Sequence, residues 1–108
     1  MKTLKEVCFE LGVSRRAVQG YEDAGLVRAT RKNKYGHLLY NRRAQDRIER
    51  IKFFQDLGFS IKEIIDLIDA SEAVLKPRLV EQVRRLEEKV AKDEQTIQQA
   101  KELISKLG

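Results

Sequence analysis

Apolar residues recur at helical spacing from the start of the chain. Thr3-Leu-Lys-Glu6 has the form of a capping box, in which a hydroxyl and a carboxylate each satisfy a free N–H at a helix start. Leu4, Val7, Cys8 and Leu11 then fall at i, i+3, i+4 and i+7, a single apolar stripe, and Gly12 closes the helix. Ser14 is placed to cap a second helix with Ala17, Val18 and Tyr21 on its inner face. Arg15, Arg16, Gln19, Glu22 and Asp23 lie outside or flank that face, Gly25 stops the helix, and Leu26-Val27 returns to the core. Two short helices joined by Gly12-Val13-Ser14 predict a helix-turn-helix.

The helical period breaks at residues 28–40, RATRKNKYGHLLY. Arg28, Arg31, Lys32 and Lys34 surround a turn region at Asn33, and Gly36 precedes the apolar run Leu38-Leu39-Tyr40. This predicts a short β-hairpin with a basic tip, a wing. Asn41 then caps a third helix that runs to about Leu57, with Ala44, Ile48, Ile51 and Phe54 turned inward and Gly58 at its end. Ser60-Ile-Lys-Glu63 is a second capping box, and Ile61, Ile64, Ile65 and Ile68 are the predicted packing face of a fourth helix.

A different period governs the last segment. Pro77 suits the first turn of a long helix, and a heptad frame follows it. Position a takes Val83, Val90, Ile97 and Ile104; position d takes Leu79, Leu86, Asp93, Ala100 and Leu107. β-Branched residues at a with Leu at d suit a two-stranded coiled coil, so the stripe is read as a homodimer seam. Asp93 is its irregular member, and either sets the register or meets Lys89 or Lys92 of the partner. The fold class expected is mainly α: a winged helix-turn-helix head over 1–70, with the helix-turn-helix at about 4–23 and the wing at about 28–40, then a linker and dimerisation helix over 71–108.

Charge sharpens this division. The net charge is +5, yet residues 1–60 hold thirteen Lys/Arg against seven Asp/Glu, while residues 61–108 hold nine against ten. A basic head points to a polyanionic partner and a balanced tail to a solvated helix surface. One Cys and one His offer no disulfide and no thiol-imidazole metal cluster within a chain, so Cys8 is read as a small core residue and no metal or cofactor is expected. No phosphate-cradling glycine loop or nucleophile elbow is present, which speaks against an enzyme. The charged N-terminus lacks the apolar core of an export signal, and a cytoplasmic location is expected, with no membrane association.

The stretches LKEVCFELGVS, AVQGYEDAGLV, LLYN and LGFSIKEI, in that order, resemble the MerR family of bacterial transcription regulators. The resemblance covers residues 1–70 and implies a dimer formed through an antiparallel coiled coil that distorts palindromic promoter DNA to control RNA polymerase. The contacts expected with double-stranded DNA are Ser14, Arg15, Arg16 and Gln19 at the second helix, together with Arg28, Arg31, Lys32, Lys34, Tyr35, His37 and Tyr40 around the wing, and Arg43 beyond it. This chain departs from the family pattern where Arg-Tyr usually precedes the Tyr-Glu of the recognition helix, since Gln19 and Gly20 stand there. It departs again at the end of the wing, with His37-Leu38-Leu39-Tyr40 in place of Tyr-Arg-x-Tyr. Gly20 is then either a surface position without its DNA-facing side chain or a point of close backbone approach. The family's drug sensors add a ligand domain after the rod and its metal sensors place cysteines at the rod's ends; neither is expected here. Two other readings share the sequence: a coiled-coil adaptor that binds protein after losing DNA recognition, and an architectural DNA-bending protein.

Overall fold

The computed structural model describes all residues from Met1 to Gly108, and the chain divides into two compact units, Met1–Ala70 and Ser71–Gly108. In the first, β1 (Lys2–Thr3) leads directly into α1 (Leu4–Leu11), followed by α2 (Arg15–Asp23), β2 (Arg31–Lys32), β3 (Leu38–Tyr40), α3 (Arg42–Asp56) and α4 (Ile61–Leu67). The second unit is one helix, α5 (Glu72–Leu107).

Local chemistry sets the helix boundaries. Both capping boxes are present: Thr3 with Glu6, and Ser60 with Glu63. Asn41 accepts from the Ala44 N–H at 2.9 Å to open α3. The ends of α2 and α3 share one device. Gly25 and Gly58 take positive φ values of 75° and 103°, which lets the next N–H reach back five residues. Leu26 N–H thus meets the Tyr21 carbonyl at 2.9 Å, and Phe59 N–H meets the Phe54 carbonyl at 3.1 Å. In each case the residue after the glycine buries itself on the helix it has just left, and the Phe59 ring meets the Phe54 ring edge-on at 5.9 Å.

The core is shared by the four helices of the first unit and β3. Val7 of α1, Val18 and Tyr21 of α2, Tyr40 of β3, Ile48, Ile51 and Phe54 of α3, and Ile64 and Leu67 of α4 are buried. Each aliphatic side chain of this set contributes about 1.5–3 kcal/mol by leaving water.

Three expectations require correction. The wing is part of a three-stranded sheet, because Lys2 and Thr3 pair antiparallel with Tyr40 and Leu39. On α4 it is Leu67 that is buried, whereas Ile65 is 49% exposed. And α5 begins at Glu72, with Ser71 as its N-cap, so Pro77 lies in the second turn and not the first. A proline there lacks the N–H that would bond the Ala73 carbonyl, yet the helix runs through it.

Candidate nucleic-acid interface

The second helix of the helix-turn-helix is fixed from below and open above. Val18 and Tyr21 are 1% and 2% exposed, and the Tyr21 hydroxyl donates to Gln55 Oε1 at 2.6 Å, tying α2 to α3. On the other side Arg15, Arg16 and Gln19 are exposed. Ser14 Oγ accepts from Ala17 N–H at 3.0 Å, so this residue is engaged as the cap. No acidic side chain lies in the first turn of α2. The positive end of its dipole and two guanidinium groups therefore add together, an arrangement unfavourable to the helix but attractive to an anion.

Gly20 is exposed on the same helix, and a Cβ built there meets no heavy atom within 4 Å. Gly20→Ala is therefore expected to raise stability by about 1 kcal/mol, read as a higher denaturation midpoint. Unchanged DNA affinity would mark an empty surface position, and a loss would mark close approach of a DNA backbone.

The wing tip is built on Asn33. Its side-chain oxygen accepts from the N–H groups of Tyr35 and His37 at 2.9 and 3.0 Å, while its own N–H reaches the His37 carbonyl at 2.9 Å. This leaves Lys34 and Tyr35 at the apex, with the ammonium 5.1 Å from the ring centroid and the ring 72% exposed. Arg31 and Lys32 are exposed on β2, which is an edge of the sheet, so their charges also discourage further strand pairing.

Sheet pairing brings wing and helix-turn-helix together. Arg15, His37, Leu38 and Thr3 border one cleft of about 450 Å³. Lys5 borders it too. Sequence reasoning misses Lys5 because nothing marks one outward lysine of α1 before β1 is known to pair with β3; its polar position off the Leu4–Val7 stripe is the available signal. Arg28 and Arg43 border a separate open groove with Thr30 and Asn41. There Arg47 donates to the Leu26 carbonyl and, through two nitrogens at 2.7 and 2.9 Å, to Asp69. The hydrogen-bonded guanidinium holds the Asp69 carboxyl below its ordinary range.

Tyr40 is not a surface contact. It is 0% exposed, and its hydroxyl donates to Glu22 Oε1 at 2.6 Å. Burial first, and then this bond, push the phenol far above the usual tyrosine range. It serves as a strut between the sheet and α2. Cys8 is half-buried beside the core, and partial burial raises its thiol. No group of three or more His, Cys, Asp or Glu residues stands together as a metal site, and no helix is long and apolar enough to cross a membrane.

Fold and surface together define a winged helix-turn-helix head whose second helix opens on two exposed arginines. The sequence pattern of the "MerR HTH family regulatory protein" matches residues 2–71, and the chain belongs to that family of regulators. Among curated relatives, the nodulation protein NolA of Bradyrhizobium diazoefficiens is 32% identical over 87 residues, covering 81% of this chain and 36% of NolA. The chain thus spans about a third of that relative's length. The N-terminus of MtaN, the Bacillus subtilis multidrug transporter activator, superposes with a TM-score of 0.71 at 26% identity, covering 96% of this chain and 98% of that one. HiNmlR, a MerR family regulator lacking the sensor domain and bound to promoter DNA, shares the fold with a TM-score of 0.74 at 13% identity, covering 95% and 86%.

Proposed function

We propose that this chain is a transcription regulator that binds palindromic promoter DNA as a homodimer in the cytoplasm and distorts it to act on RNA polymerase. The observation that carries the reading is the junction of α2 with the wing: Arg15 and His37 border one cleft, with Arg16 and Gln19 exposed on α2 and a basic hairpin beside it. In this arrangement α2 enters a major groove, Arg15 and Arg16 meet phosphates or base edges near its start, and Gln19 pairs with adenine. Arg31, Lys32 and Lys34 act on the flanking backbone, with Arg28 and Arg43 as further phosphate contacts. The named roles of relatives agree, since MtaN is a transporter activator and HiNmlR is bound to promoter DNA.

The dimer rests on α5. It has no buried residue in the single chain, and Val83, Leu86, Val90, Ile97, Ile104 and Leu107 are between 37% and 76% exposed on one heptad stripe. At 36 residues the helix is about 54 Å long.

Titration of a labelled duplex at low and physiological salt tests the phosphate contacts. Changing Lys32 or Lys34 to Ala should weaken binding to all sequences alike. It should also lower the slope of log affinity against log salt by about one for each phosphate no longer neutralised. Weak binding that is indifferent to these changes would remove the wing from the interface and favour a protein-binding adaptor.

A further inference from the structure

The short strand β1 ends at Thr3, opposite Leu39, and α1 begins at the next residue. Leu38 therefore has a strand partner on one side only, Lys32 of β2. On its other side the sheet opens into the cleft of about 450 Å³ between wing and helix-turn-helix. Leu4 and Leu38, both half-buried, give this cleft an apolar wall, and Lys5, Arg15 and His37 give it a polar rim. None of its lining residues is acidic, and neither Lys5 nor Arg15 joins an ion pair. The Thr3 hydroxyl is committed to Glu6, and Gly36, held at a φ of 80°, adds no side chain. The larger groove beside Arg28 and Arg43 lacks this character, because Glu22 lies among its arginines.

An apolar wall under a cationic rim suits one class of ligand. A phosphate of DNA meets Arg15 at the rim but gives the two leucines nothing apolar to cover them. A neutral apolar molecule covers the leucines and leaves the cations without a partner. A short alkyl carboxylate satisfies both. Its head accepts from Lys5, Arg15 and the ring N–H of His37, while its chain lies on Leu4 and Leu38. The volume falls in the ordinary range for small-ligand sites, about 300–1,000 Å³. We infer that this cleft binds a medium-chain carboxylate, and that the bound anion competes with DNA for Arg15. The site stands on the chemistry of the cleft itself; the competition rests on the promoter-binding reading above. The head then responds to a small molecule at the same surface that meets DNA.

Wall and rim make separable contributions to affinity. From hexanoate to octanoate, each added methylene that reaches the leucines should tighten binding by up to about fourfold. Octylammonium has the same chain and the opposite charge, and should not bind at the same concentrations. Inorganic phosphate should bind at least about tenfold more weakly than octanoate, since it leaves the leucines uncovered. Equal affinity for phosphate and octanoate would show that the wall contributes nothing and would overturn the inference. Binding of octylammonium as tight as that of octanoate would do the same for the rim.

Amide NMR titration of the whole chain with octanoate, below its micellar concentration, tests the site. Shifts should centre on Lys5, Arg15, His37 and Leu38; shifts confined to the apolar stripe of α5 would overturn it. Two variants separate wall from rim. Leu38→Gln should keep its melting midpoint within a few degrees and lose the gain from hexanoate to octanoate. Lys5→Gln, at an exposed position, should weaken both carboxylates alike and keep that gain. Parental affinities in both variants overturn the site. Titration of a labelled duplex then tests the competition. Octanoate should raise the duplex dissociation constant of the parent, and should do so less for Leu38→Gln. Duplex binding that ignores saturating octanoate would overturn the competition. Octanoate binding at the cleft by a protein that binds no duplex would uphold the site and remove the promoter-binding reading instead.

Discussion

Val90→Lys is expected to convert the protein to monomers and to abolish tight DNA binding while leaving the head folded. Val90 is 50% exposed in the single chain, so a lysine there costs the protomer almost nothing. In the dimer the same lysine enters the seam twice, and an uncompensated buried charge costs several kcal/mol at each site. The consequence for DNA extends beyond the seam itself. Two linked heads bind with an effective concentration that raises avidity by about 10²–10⁴ over a single head. Sedimentation velocity should show one protomer, the head should keep its cooperative unfolding transition, and duplex affinity should fall by at least about a hundredfold. A variant that remains dimeric would show that the seam lies elsewhere or in another register.

The double change Arg15→Ala/Arg16→Ala should move stability and binding in opposite directions. Both side chains are exposed on α2, and no acidic residue in its first turn balances them. Their removal relieves an unfavourable interaction with the helix dipole and should leave stability unchanged or raised by about 0.3–1 kcal/mol. In the proposed complex the same two groups meet phosphates or base edges, and each charge-assisted contact is worth about 1–3 kcal/mol. Affinity should therefore drop by about a hundredfold or more. Thermal melting and duplex titration of the same preparation read both signs. A fall in stability together with binding would assign the arginines to the fold instead.

Elements governed by nearest-neighbour chemistry were legible in the sequence. The Thr3–Glu6 and Ser60–Glu63 boxes, the Asn41 cap and the glycines after α2 and α3 each act within a few residues, and each marks the boundary read from it. What escaped depends on distant partners or on short segments. The two residues of β1 are too few to show a period, and their pairing with β3 joins positions nearly forty residues apart. Helix α4 has five apolar residues among Ile61–Ile68, so either Ile65 or Leu67 fits an inward stripe, and packing against α3 decided for Leu67. Tyr40 suits a wet surface or a core with an acceptor equally well, and Glu22, its acceptor, comes from another element. The basic residues of α2 and the wing were readable as a set, whereas the convergence of Arg15 and His37 with Lys5 on one cleft required the sheet.

Selection from a pool of randomised duplexes at physiological salt tests the central claim most directly. The unmodified protein should enrich an inverted repeat whose half-sites lie about one or two helical turns apart, allowing for bending, and footprinting should protect both halves. Changing Gln19 should alter the base preference within each half, while changing Lys32 or Lys34 should weaken binding without altering it. A pool that shows no enriched sequence after repeated rounds, with residual binding that vanishes as salt rises, would contradict the account and leave the head as something other than a reader of DNA.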